Sequence, residues 1–428
     1  MHNRFVSFYF ASIGLREVFV LLGAVLPTSF GLAQNQRNKL HQAVRDHFVD
    51  SECFSFTSAR GALAACLRAA GVGPGDEVLL SSFTCLAVPT AVLAVGARPT
   101  YCDIDPRTLN VTPEAVVAAM TPKTRAVVVQ HTLGSVADVR EIALRAHSRG
   151  ILVVEDCALA IGTRKEGLEV GSSGDAAIFS MELSKTISSG WGGVLLVNDD
   201  RLASRISEQY IALEQLPPAR ILRMAIQAAI CGVCYEPRIY WLGKYAIAVA
   251  FKLGLFGLST PPEESIGDVA TDFIAKLGAP QAALGAYQWK RLKSIAQSCE
   301  ENGTRIRGVL KRLGYVPLGD FSPNLFSVSP RVSFLVADRP AIVEWFRVRG
   351  IELGSWFDGP LSPFPEATVF NYHRQTFPKA SFVAEHIVNI PCHGRLNMSD
   401  LENIETVLSE YSAAHPEDFN IQKTLQEL

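Results

Sequence analysis

Residues 126–156 read AVVVQHTLGSVADVREIALRAHSRGILVVED and place a helical segment between two apolar strands. Residues 126–130 and 151–155 have the length and the β-branched content of buried strands, whereas residues 139–148 repeat their apolar side chains with a helical period. A strand, a helix and a second strand in this order form a βαβ unit, whose two strands are parallel. This stretch therefore predicts an α/β fold, with a mainly parallel sheet that helices cover on both faces.

The same alternation continues on both sides of this unit. Further strands are predicted at residues 54–57, 77–80, 100–103, 176–180 and 193–197, and further helices at residues 40–44, 61–70, 87–95 and 113–120. A long helix from residue 281, a strand at 331–335 and helices at 340–349 and 400–411 form a second group. We therefore expect an N-terminal segment of residues 1–39, a large domain of residues 40–280 and a smaller α+β domain of residues 281–428.

The composition excludes several classes of protein. Among 428 residues, 40 Lys and Arg against 42 Asp and Glu give a formal net charge of −2, which argues against a nucleic-acid partner. The nine scattered Cys do not form the disulfide framework of a small secreted domain, so we expect a reducing compartment. Cys231 and Cys234 have a CxxC spacing within an apolar run, where packing and a redox or metal role are both open.

Two segments are rich in apolar residues. Residues 5–26 predict an amphipathic helix packed on the body, and a signal peptide is the alternative because residues 18–26 form an apolar run. Residues 217–262 lie between two proline pairs and combine apolar runs with five basic residues and a single acid, Glu236. This pattern is typical of a dimer or interdomain interface, or of helices that lie on a membrane surface. No stretch reaches the ~18 apolar residues that a transmembrane helix needs.

Asp156 and Lys185 carry the first chemical signal. Asp156 follows a predicted strand, and ligands of open α/β sheets bind beyond the carboxyl ends of the strands. Lys185 lies on a loop that precedes the glycines Gly190, Gly192 and Gly193. A lysine can form a Schiff base and a buried Asp can keep a pyridinium nitrogen protonated, so together they indicate a pyridoxal-phosphate site. Taken singly, each residue is also explained by a helix cap or a solvated charge.

A turn of small residues is a candidate phosphate site. Residues 57–63 read TSARGAL and lie between a predicted strand and a predicted helix. Amide groups at a helix N-terminus bind phosphate, and Arg60 can add a bidentate contact. The alternative is a plain N-cap by Ser58.

Several motifs in one order extend this interpretation over most of the chain. They are Gly75-Asp76-Glu77-Val78, His131-Thr132-Leu133-Gly134, Glu155-Asp156-Cys157-Ala158, Lys185-Thr186-Ile187 and Gln281-Ala282-Ala283-Leu284-Gly285. With them the chain, from about residue 54 to residue 408, resembles the pyridoxal-phosphate-dependent sugar aminotransferases of the DegT/DnrJ/StrS type. The resemblance implies a fold-type I architecture, in which a large domain has a mainly parallel seven-stranded sheet between helices and a smaller α+β domain follows.

The resemblance also implies roles for individual residues. Lys185 would hold the cofactor as a Schiff base and relay protons, and Asp156 would pair with the pyridine nitrogen. Ser180 would bind the phosphate together with Ser58 and the Arg60-Gly61 turn. Relatives that dehydrate sugars have another residue in place of the lysine, so Lys185 favours transamination.

Four positions depart from the family pattern. Leu159 stands where the family usually has Gln, and Cys85 replaces an aromatic residue that stacks on the cofactor ring. Ile274 replaces an Asn that reaches the partner's phosphate, and Lys276 replaces a nearby Arg. These changes remove polar contacts rather than the reacting groups, so they bear on substrate identity more than on cofactor use.

Four further side chains are open candidates. His131 ends a predicted strand and could contact the cofactor ring or its hydroxyl, or it has a structural role. Trp191 could line an unusual pocket or simply pack. Trp356 and His373 could border the substrate entrance. We expect no metal ion among the site residues.

The resemblance implies an aminotransferase that moves an amino group from an amino acid such as glutamate to a keto-sugar. The sugar would be nucleotide- or lipid-linked and would serve polysaccharide, glycolipid or antibiotic biosynthesis. A homodimer is expected, in the cytoplasm, with possible contact of residues 217–262 with the inner face of the membrane. The alternatives are a pyridoxal-phosphate-dependent sugar dehydratase and a non-catalytic, membrane-associated relative.

Overall fold

The computed structural model describes residues 5–8, 12–25, 33–257, 273–320, 322–359, 361–363 and 368–427. Residues 9–11 and 26 of the apolar N-terminal segment, and residues 258–262 at the end of the proline-bracketed segment, lie outside the described residues.

The strands that the structure describes form one large sheet and several small ones. They are β1 Glu52–Phe56, β2 Glu77–Ser81, β3 Thr84–Cys85, β4 Arg98–Cys102, β5 Thr124–Gln130, β6 Leu152–Asp156, β7 Arg164–Lys165, β8 Leu168–Glu169, β9 Ala176–Ser180, β10 Gly193–Val197, β11 Leu325–Phe326, β12 Arg331–Leu335, β13 Leu361–Ser362 and β14 Ile387–Pro391. The large sheet has seven strands in the order β1-β10-β9-β6-β5-β2-β4. Within it β10 is antiparallel to β1 and β9, and the other neighbours are parallel, which confirms the mainly parallel sheet.

Helices cover this sheet and build the rest of the molecule. The described α-helices are α1 Leu15–Gly23, α2 Ala33–Arg45, α3 Ala59–Ala69, α4 Ala87–Leu93, α5 Pro113–Ala119, α6 Val139–His147, α7 Asp200–Ala212, α8 Pro218–Cys234, α9 Tyr240–Lys252, α10 Ala279–Lys290, α11 Leu292–Arg312, α12 Arg339–Arg347, α13 Pro378–His386, α14 Met398–Ala414 and α15 Asp418–Glu427. The four helices predicted at 61–70, 87–95, 113–120 and 139–148 begin within two residues of α3, α4, α5 and α6.

Both faces of the central sheet are buried. In β6, Val154 belongs to the cluster that α3, α4 and α7 cover, whereas Val153 belongs to the cluster under α5 and α6. In β5, Val128 and Val127 divide between the same two clusters. Because successive side chains of a strand point to opposite faces, a sheet covered on both faces needs uninterrupted apolar strands. The apolar runs of β5 and β6 are therefore explained by the burial of both faces of the sheet.

Two helices differ from their predicted bounds. The helix predicted from residue 40 begins at Ala33, because Arg37 in its polar first half is buried and donates from Nη1 to the carbonyl oxygen of Leu277 at 3.0 Å. The single long helix predicted from residue 281 is two helices, α10 and α11, which meet at Arg291. The C-terminal part then packs α11, α12 and α14 with the antiparallel pair of β12 and β14 around one apolar cluster.

The apolar N-terminal helix and the proline-bracketed segment pack together. Ile13, with Val18 and Leu21 of α1, shares one buried cluster with Ala225 and Ala228 of α8. A side-chain carbon added at Gly232 of α8 would lie 2.6 Å from Ile13. The glycine therefore lets the N-terminal segment approach α8 closely.

The described part of the chain contains no helix that is both long and apolar enough to cross a membrane. Cys231 is buried in the cluster shared with α1, and Cys234 is partly buried at the end of α8. The pKa of both thiols is raised by burial, which opposes formation of the reactive thiolate. This arrangement favours the packing interpretation of the CxxC spacing.

Candidate active site

The candidate site lies at the carboxyl edge of the central sheet. Asp156 is the last residue of β6 and Ser180 is the last residue of β9, and these two strands are neighbours. Gln130, the last residue of β5, is paired in register with Asp156 on the other side. Lys185 follows Ser180 on the loop between β9 and β10. The fold therefore brings together residues that belong to separate motifs of the sequence.

The carboxyl group of Asp156 is buried, and only one of its two oxygens accepts a hydrogen bond from the described residues. The residue is 5% exposed, and its Oδ1 accepts a hydrogen bond of 3.0 Å from the amide of Ala158. No residue in the described ranges donates a hydrogen bond to the other carboxylate oxygen. Burial raises the pKa of Asp156, and the Ala158 amide and the charge of Lys185 act in the opposite direction. One oxygen thus remains for a proton-bearing ligand atom.

Lys185 is a partly buried amine surrounded by charges of both signs. Burial lowers its pKa below the ordinary value, Arg331 lowers it further, and Glu182, Cys85 and Asp156 oppose the shift. Its Nζ lies 5.2 Å from the centre of the Trp356 ring. A lower pKa leaves more of the amine uncharged at neutral pH, which is the form that acts as a nucleophile or a base.

Cys85 lies in the same electrostatic neighbourhood. Burial raises the pKa of its thiol, while the charges of Lys185 and Arg60 oppose the shift and that of Asp156 adds to it. β3, which ends at Cys85, pairs with β13 of the C-terminal part. Cys85 thus interacts with the charges of Lys185, Arg60 and Asp156, and its role at the cofactor ring stays a prediction.

The turn at the start of α3 has the geometry of a capped helix N-terminus. Oγ of Ser58 accepts a hydrogen bond of 3.1 Å from the amide of Gly61. A side-chain carbon at Gly61 would lie 2.2 Å from the carbonyl oxygen of Phe273, and one at Gly193 would lie 2.2 Å from the amide nitrogen of Ala59. The two glycines thus allow the turn to lie against the sheet and against residue 273. The remaining amides of this N-terminus favour an anion.

Arg60 and Ser180 flank this turn and the sheet edge. Arg60 is 9% exposed, and its guanidinium carbon lies 5.4 Å from the centre of the Phe273 ring. Ser180 is 7% exposed, and its Oγ accepts a hydrogen bond of 3.4 Å from the amide of Glu182. Both side chains are therefore held by the fold near the predicted phosphate position.

His131 is bound into the core by both ring nitrogens. Its Nδ1 accepts from the amide of Ala137 at 3.2 Å, so the proton is on Nε2, which donates to Glu155 at 2.8 Å. Burial alone would raise the pKa of Glu155, but the hydrogen bond from His131 and the amides of Gly171 and Gly174 outweigh it and hold the pKa below its ordinary value. The geometry favours the structural role of His131, since neither nitrogen remains for a cofactor hydroxyl.

His131, Glu155 and Cys157 also place three metal-binding atoms within 4.8 Å of one another. The carboxylate of Glu155 already accepts from His131 and from the amides of Gly171, Ser173 and Gly174. These hydrogen bonds occupy the lone pairs that an ion would need. The donor set therefore fits a buried structural network better than a metal centre.

Arg331 and Trp356 stack on each other beside Lys185, and of the two the sequence analysis singled out only Trp356. The guanidinium carbon of Arg331 lies 3.8 Å from the centre of the Trp356 ring, and Nη2 donates to the carbonyl oxygen of Ser184 at 3.0 Å. Phe8 of the N-terminal segment covers the same guanidinium at 4.5 Å. The sequence contained one indication of this role, which is that Arg331 begins a strand predicted to be buried. A charged residue at such a position requires partners.

The remaining candidates have structural positions. Leu159 is 7% exposed in the cluster under α5 and α6, and half-buried Ile274 packs beside β1. Lys276 donates from Nζ to the carbonyl oxygen of Ile211 at 2.9 Å. His373 is exposed.

The loop that carries Lys185 rests on α8. Trp191 and Leu183 of this loop pack in the cluster shared by α1 and α8. A side-chain carbon at Gly190 would lie 2.6 Å from Cβ of Ala228. Trp191 therefore packs against the proline-bracketed segment, in line with the simpler of its two interpretations.

The chemistry of this donor set fits pyridoxal phosphate. The carboxylate oxygen of Asp156 that accepts no hydrogen bond within the described residues can accept one from a protonated ring nitrogen. Nζ of Lys185 can form a Schiff base with an aldehyde carbon. The capped N-terminus of α3 suits a phosphate, with Ser180 and Arg60 beside it.

Comparison with known proteins gives one family and a consistent fold. A model described as the DegT/DnrJ/EryC1/StrS aminotransferase family matches residues 18–231. The chain is similar in fold to an aminotransferase from Psychrobacter cryohalolentis, with a TM-score of 0.74, 21% identity, and coverage of 96% of this chain and 99% of the other. It is also similar to Spr1654 of Streptococcus pneumoniae in a PLP form, with a TM-score of 0.73, 18% identity and coverage of 96% and 99%.

Curated relatives align over part of their length. The L-glutamine:2-deoxy-scyllo-inosose aminotransferase of Streptomyces fradiae is 40% identical over 172 residues, 40% of this chain and 41% of the relative. The spore coat polysaccharide biosynthesis protein SpsC of Bacillus subtilis is 31% identical over 256 residues, 60% of this chain and 57% of the relative. The chain thus spans about two fifths of the length of the inosose aminotransferases that it matches.

Proposed function

Because the chain belongs to the DegT/DnrJ/EryC1/StrS aminotransferase family, we propose that it is a pyridoxal-phosphate-dependent aminotransferase that passes an amino group from an amino acid to a keto-sugar. The observation that carries this proposal is that buried Asp156 and Lys185 lie at the same edge of the sheet. Burial lowers the pKa of Lys185. The names of two relatives support the class of reaction, since one aminates a keto-inositol and the other serves polysaccharide biosynthesis.

Four parts of the chain would bind the coenzyme. Pyridoxal phosphate, when bound, supplies an aldehyde that carries the amino group and a ring that stabilises negative charge at the reacting carbon. Asp156 would hold the ring nitrogen in its protonated state by a charge-assisted hydrogen bond. Ser180, Arg60 and the amides that follow Ser58 would hold the phosphate. These contacts would orient the aldehyde toward Lys185.

Lys185 would perform the proton transfers. Its lowered pKa increases the uncharged fraction of Nζ, which can then accept the proton from the α-carbon of the amino-acid donor. In the second half of the reaction the same Nζ would deliver a proton to the sugar carbon that receives the amine. Arg331 and Trp356 would orient the substrate and exclude water on this side of the amine.

The proposed substrates are more specific than the shared family. We propose glutamate or glutamine as the amino donor and a keto-sugar linked to a nucleotide or a lipid as the acceptor, in polysaccharide, glycolipid or antibiotic biosynthesis. A homodimer in the cytoplasm is part of the same proposal. These assignments rest on the resemblance and on what the relatives' names state of those relatives.

A Lys185→Ala variant tests the cofactor assignment. The wild-type protein, purified with pyridoxal phosphate, is expected to show a visible absorbance band that borohydride reduction fixes covalently to the lysine. Lys185→Ala should lose the covalent adduct, whereas Lys123→Ala, at an exposed lysine in a turn, should keep it. Retention of a reducible adduct in Lys185→Ala, or none in the wild type, would contradict the proposal.

The reaction type is tested with the loaded enzyme and one substrate at a time. Transamination predicts that glutamate or glutamine alone yields its 2-oxo acid, in an amount equal to the enzyme. A panel of keto-sugar nucleotides is then added, and amination is followed by mass spectrometry. Elimination of water from a sugar without any release of 2-oxo acid would show a dehydratase instead.

A further inference from the structure

Three helices, of which α8 packs against both α1 and α9, each present exposed apolar side chains on the outside of the molecule. We name this set the interfacial face and define it as the exposed apolar residues within 15–22 of α1, 226–233 of α8 and 239–255 of α9 and its flanking turns. Exposed apolar patches of this extent are rare on soluble monomers and mark contact surfaces.

Helix α9 makes the strongest contribution. Only Tyr240, Gly243 and Ile247 of this 13-residue helix are buried. On its outer side Trp241 is 60% exposed and Tyr245 is 63% exposed. This helix buries only a narrow stripe of its surface against the protein, although its other side is also apolar. Such a helix is expected to contact a second apolar environment with its outer side.

The other two helices extend the same surface. On α8 the exposed residues Arg223, Ile226 and Ile230 follow one another at intervals of three and four, which places them on one side of the helix. On α1 the exposed Leu15 and Phe19 have the same spacing, and Phe19 is 73% exposed. Each helix buries its opposite side in the cluster that joins α1 to α8.

The charges on this segment are mainly positive. Residues 217–257 contain five basic side chains and one acid, and that acid, Glu236, pairs at 2.6 Å with Arg395 outside the segment. Arg238 and Lys252 are exposed and lie at the two ends of the stripe that contains Trp241 and Tyr245. Arg238 lies in the turn before α9 and Lys252 is its last residue, so the two cations flank a helix that is about 20 Å long at 1.5 Å per residue. Cations at both ends of an apolar, aromatic stripe are typical of helices that lie in a membrane interface.

The interfacial face is fixed to the body of the protein. Gln227 of α8 exchanges two hydrogen bonds of 3.0 Å with the backbone of Gly257, which ties the chain after α9 back to α8. Tyr240 donates to Glu352, and Arg291 pairs with Glu17 of α1. These contacts hold the helices in place without covering their outer side.

We propose that the interfacial face rests on the surface of a bilayer that contains anionic lipid, with α8 and α9 lying in the plane of the headgroups. The sign of the charge favours lipid over a second copy of this chain. A self-complementary dimer contact would set this net-positive surface against the same net-positive surface of the other copy, whereas anionic headgroups neutralise its charges. None of the described helices can span a bilayer, so the contact is peripheral. This inference does not depend on the proposed catalytic activity.

Vesicle sedimentation of the full-length protein tests the proposal. At low salt we expect binding to vesicles of phosphatidylcholine with phosphatidylglycerol to be roughly tenfold or more tighter than to phosphatidylcholine alone, and added salt should weaken it. Equal binding to both vesicles, or no binding, would overturn the proposal.

Two variants assign the binding to this face. Trp241→Ser/Tyr245→Ser should weaken vesicle binding roughly tenfold or more, because two exposed anchors are lost. Arg238→Gln/Lys252→Gln should weaken it mainly on anionic vesicles. The matched control Leu144→Ser/Ile211→Ser removes two side chains that are 69% and 75% exposed elsewhere, and it should bind like the wild type.

The competing occupant of this face is a second copy of the chain. Sedimentation velocity of the same proteins without lipid distinguishes it from a membrane. Under the proposal, Trp241→Ser/Tyr245→Ser keeps the wild-type oligomeric state while it loses vesicle binding. If this variant instead dissociates an oligomer and binds vesicles like the wild type, the face is a subunit interface and the proposal is wrong.

Discussion

His41 is the side chain that we expect to control stability between pH 7 and pH 5. It lies on α2 with 8% exposure, and its Nε2 is 3.0 Å from Oγ of Ser55 on β1. Burial lowers the pKa of His41 to about 4 from its ordinary 6.5, and the charges of Arg45 and Arg37, one turn away on either side, act in the same direction. The folded protein therefore binds this proton less readily than the unfolded chain.

The sign and size of the effect follow from this difference. Above pH 6.5 neither state is protonated and the contribution to stability is complete. As the pH falls through 6.5 the unfolded chain takes up the proton first, so stability is lost until the folded state also protonates near pH 4. The pKa difference of about 2.5 corresponds to about 3 kcal/mol in total, of which about 2 kcal/mol is lost between pH 7 and pH 5.

The substitution His41→Gln isolates this contribution. Gln keeps a neutral donor near Ser55 but cannot be protonated in this range. The free energy of unfolding is measured by urea denaturation at pH 7, 6 and 5. We expect the variant to lose about 2 kcal/mol less than the wild type between pH 7 and pH 5, whatever its stability at pH 7. The control His373→Gln replaces an exposed histidine, and it should lose as much as the wild type. Equal losses in His41→Gln and the wild type would refute the reasoning.

Three further predictions concern the site and its supports. Gly61→Ala should weaken coenzyme affinity in fluorescence titration, because the added carbon would lie 2.2 Å from a backbone oxygen, whereas Gly308→Ala, whose nearest neighbour is at 3.7 Å, should not. Glu155→Gln should destabilise the protein by about 3–5 kcal/mol in denaturant unfolding, since it breaks a buried, charge-assisted network, and Glu114→Gln, at a side chain that is 71% exposed, should change stability by less than about 0.5 kcal/mol. Lys185→Met should stabilise the coenzyme-free protein at pH 7 and remove a rise in stability toward alkaline pH. The reason is that burial penalises the charged form of the lysine in the folded state and so lowers its pKa. Thermal unfolding at pH 7 and pH 9 measures this change, and an unchanged pH dependence in Lys185→Met would contradict it.

The central sheet and the position of Asp156 and Lys185 at one edge of it could be predicted because local patterns determine them. Residues 126–129 and 151–154 are apolar without interruption, since Val127 and Val128 face opposite buried layers. Parallel strands end at one edge, so a carboxylate after one strand and a lysine after the next belong together.

Arg331 could not be predicted, and Trp356 only as a candidate at the substrate entrance, because their position beside Lys185 depends on how the C-terminal part docks on the sheet. Arg331 is 146 positions from Lys185, and no spacing in the sequence encodes that distance in space. For His131 the sequence left two roles open. The choice depends on Glu155 and on the amide of Ala137, and only the folded backbone brings these three groups together.

The loop of Lys185 rests on α8, and this has a practical consequence for producing the protein. Removing residues 217–257 would be the obvious way to improve solubility, yet it would also take away Ala228, against which Gly190 packs at close range. The deletion would therefore leave the reactive lysine on an unsupported loop. Replacing outward side chains such as Trp241 and Tyr245 keeps α8 in place, so surface substitution rather than truncation is the route to a soluble enzyme with an intact site.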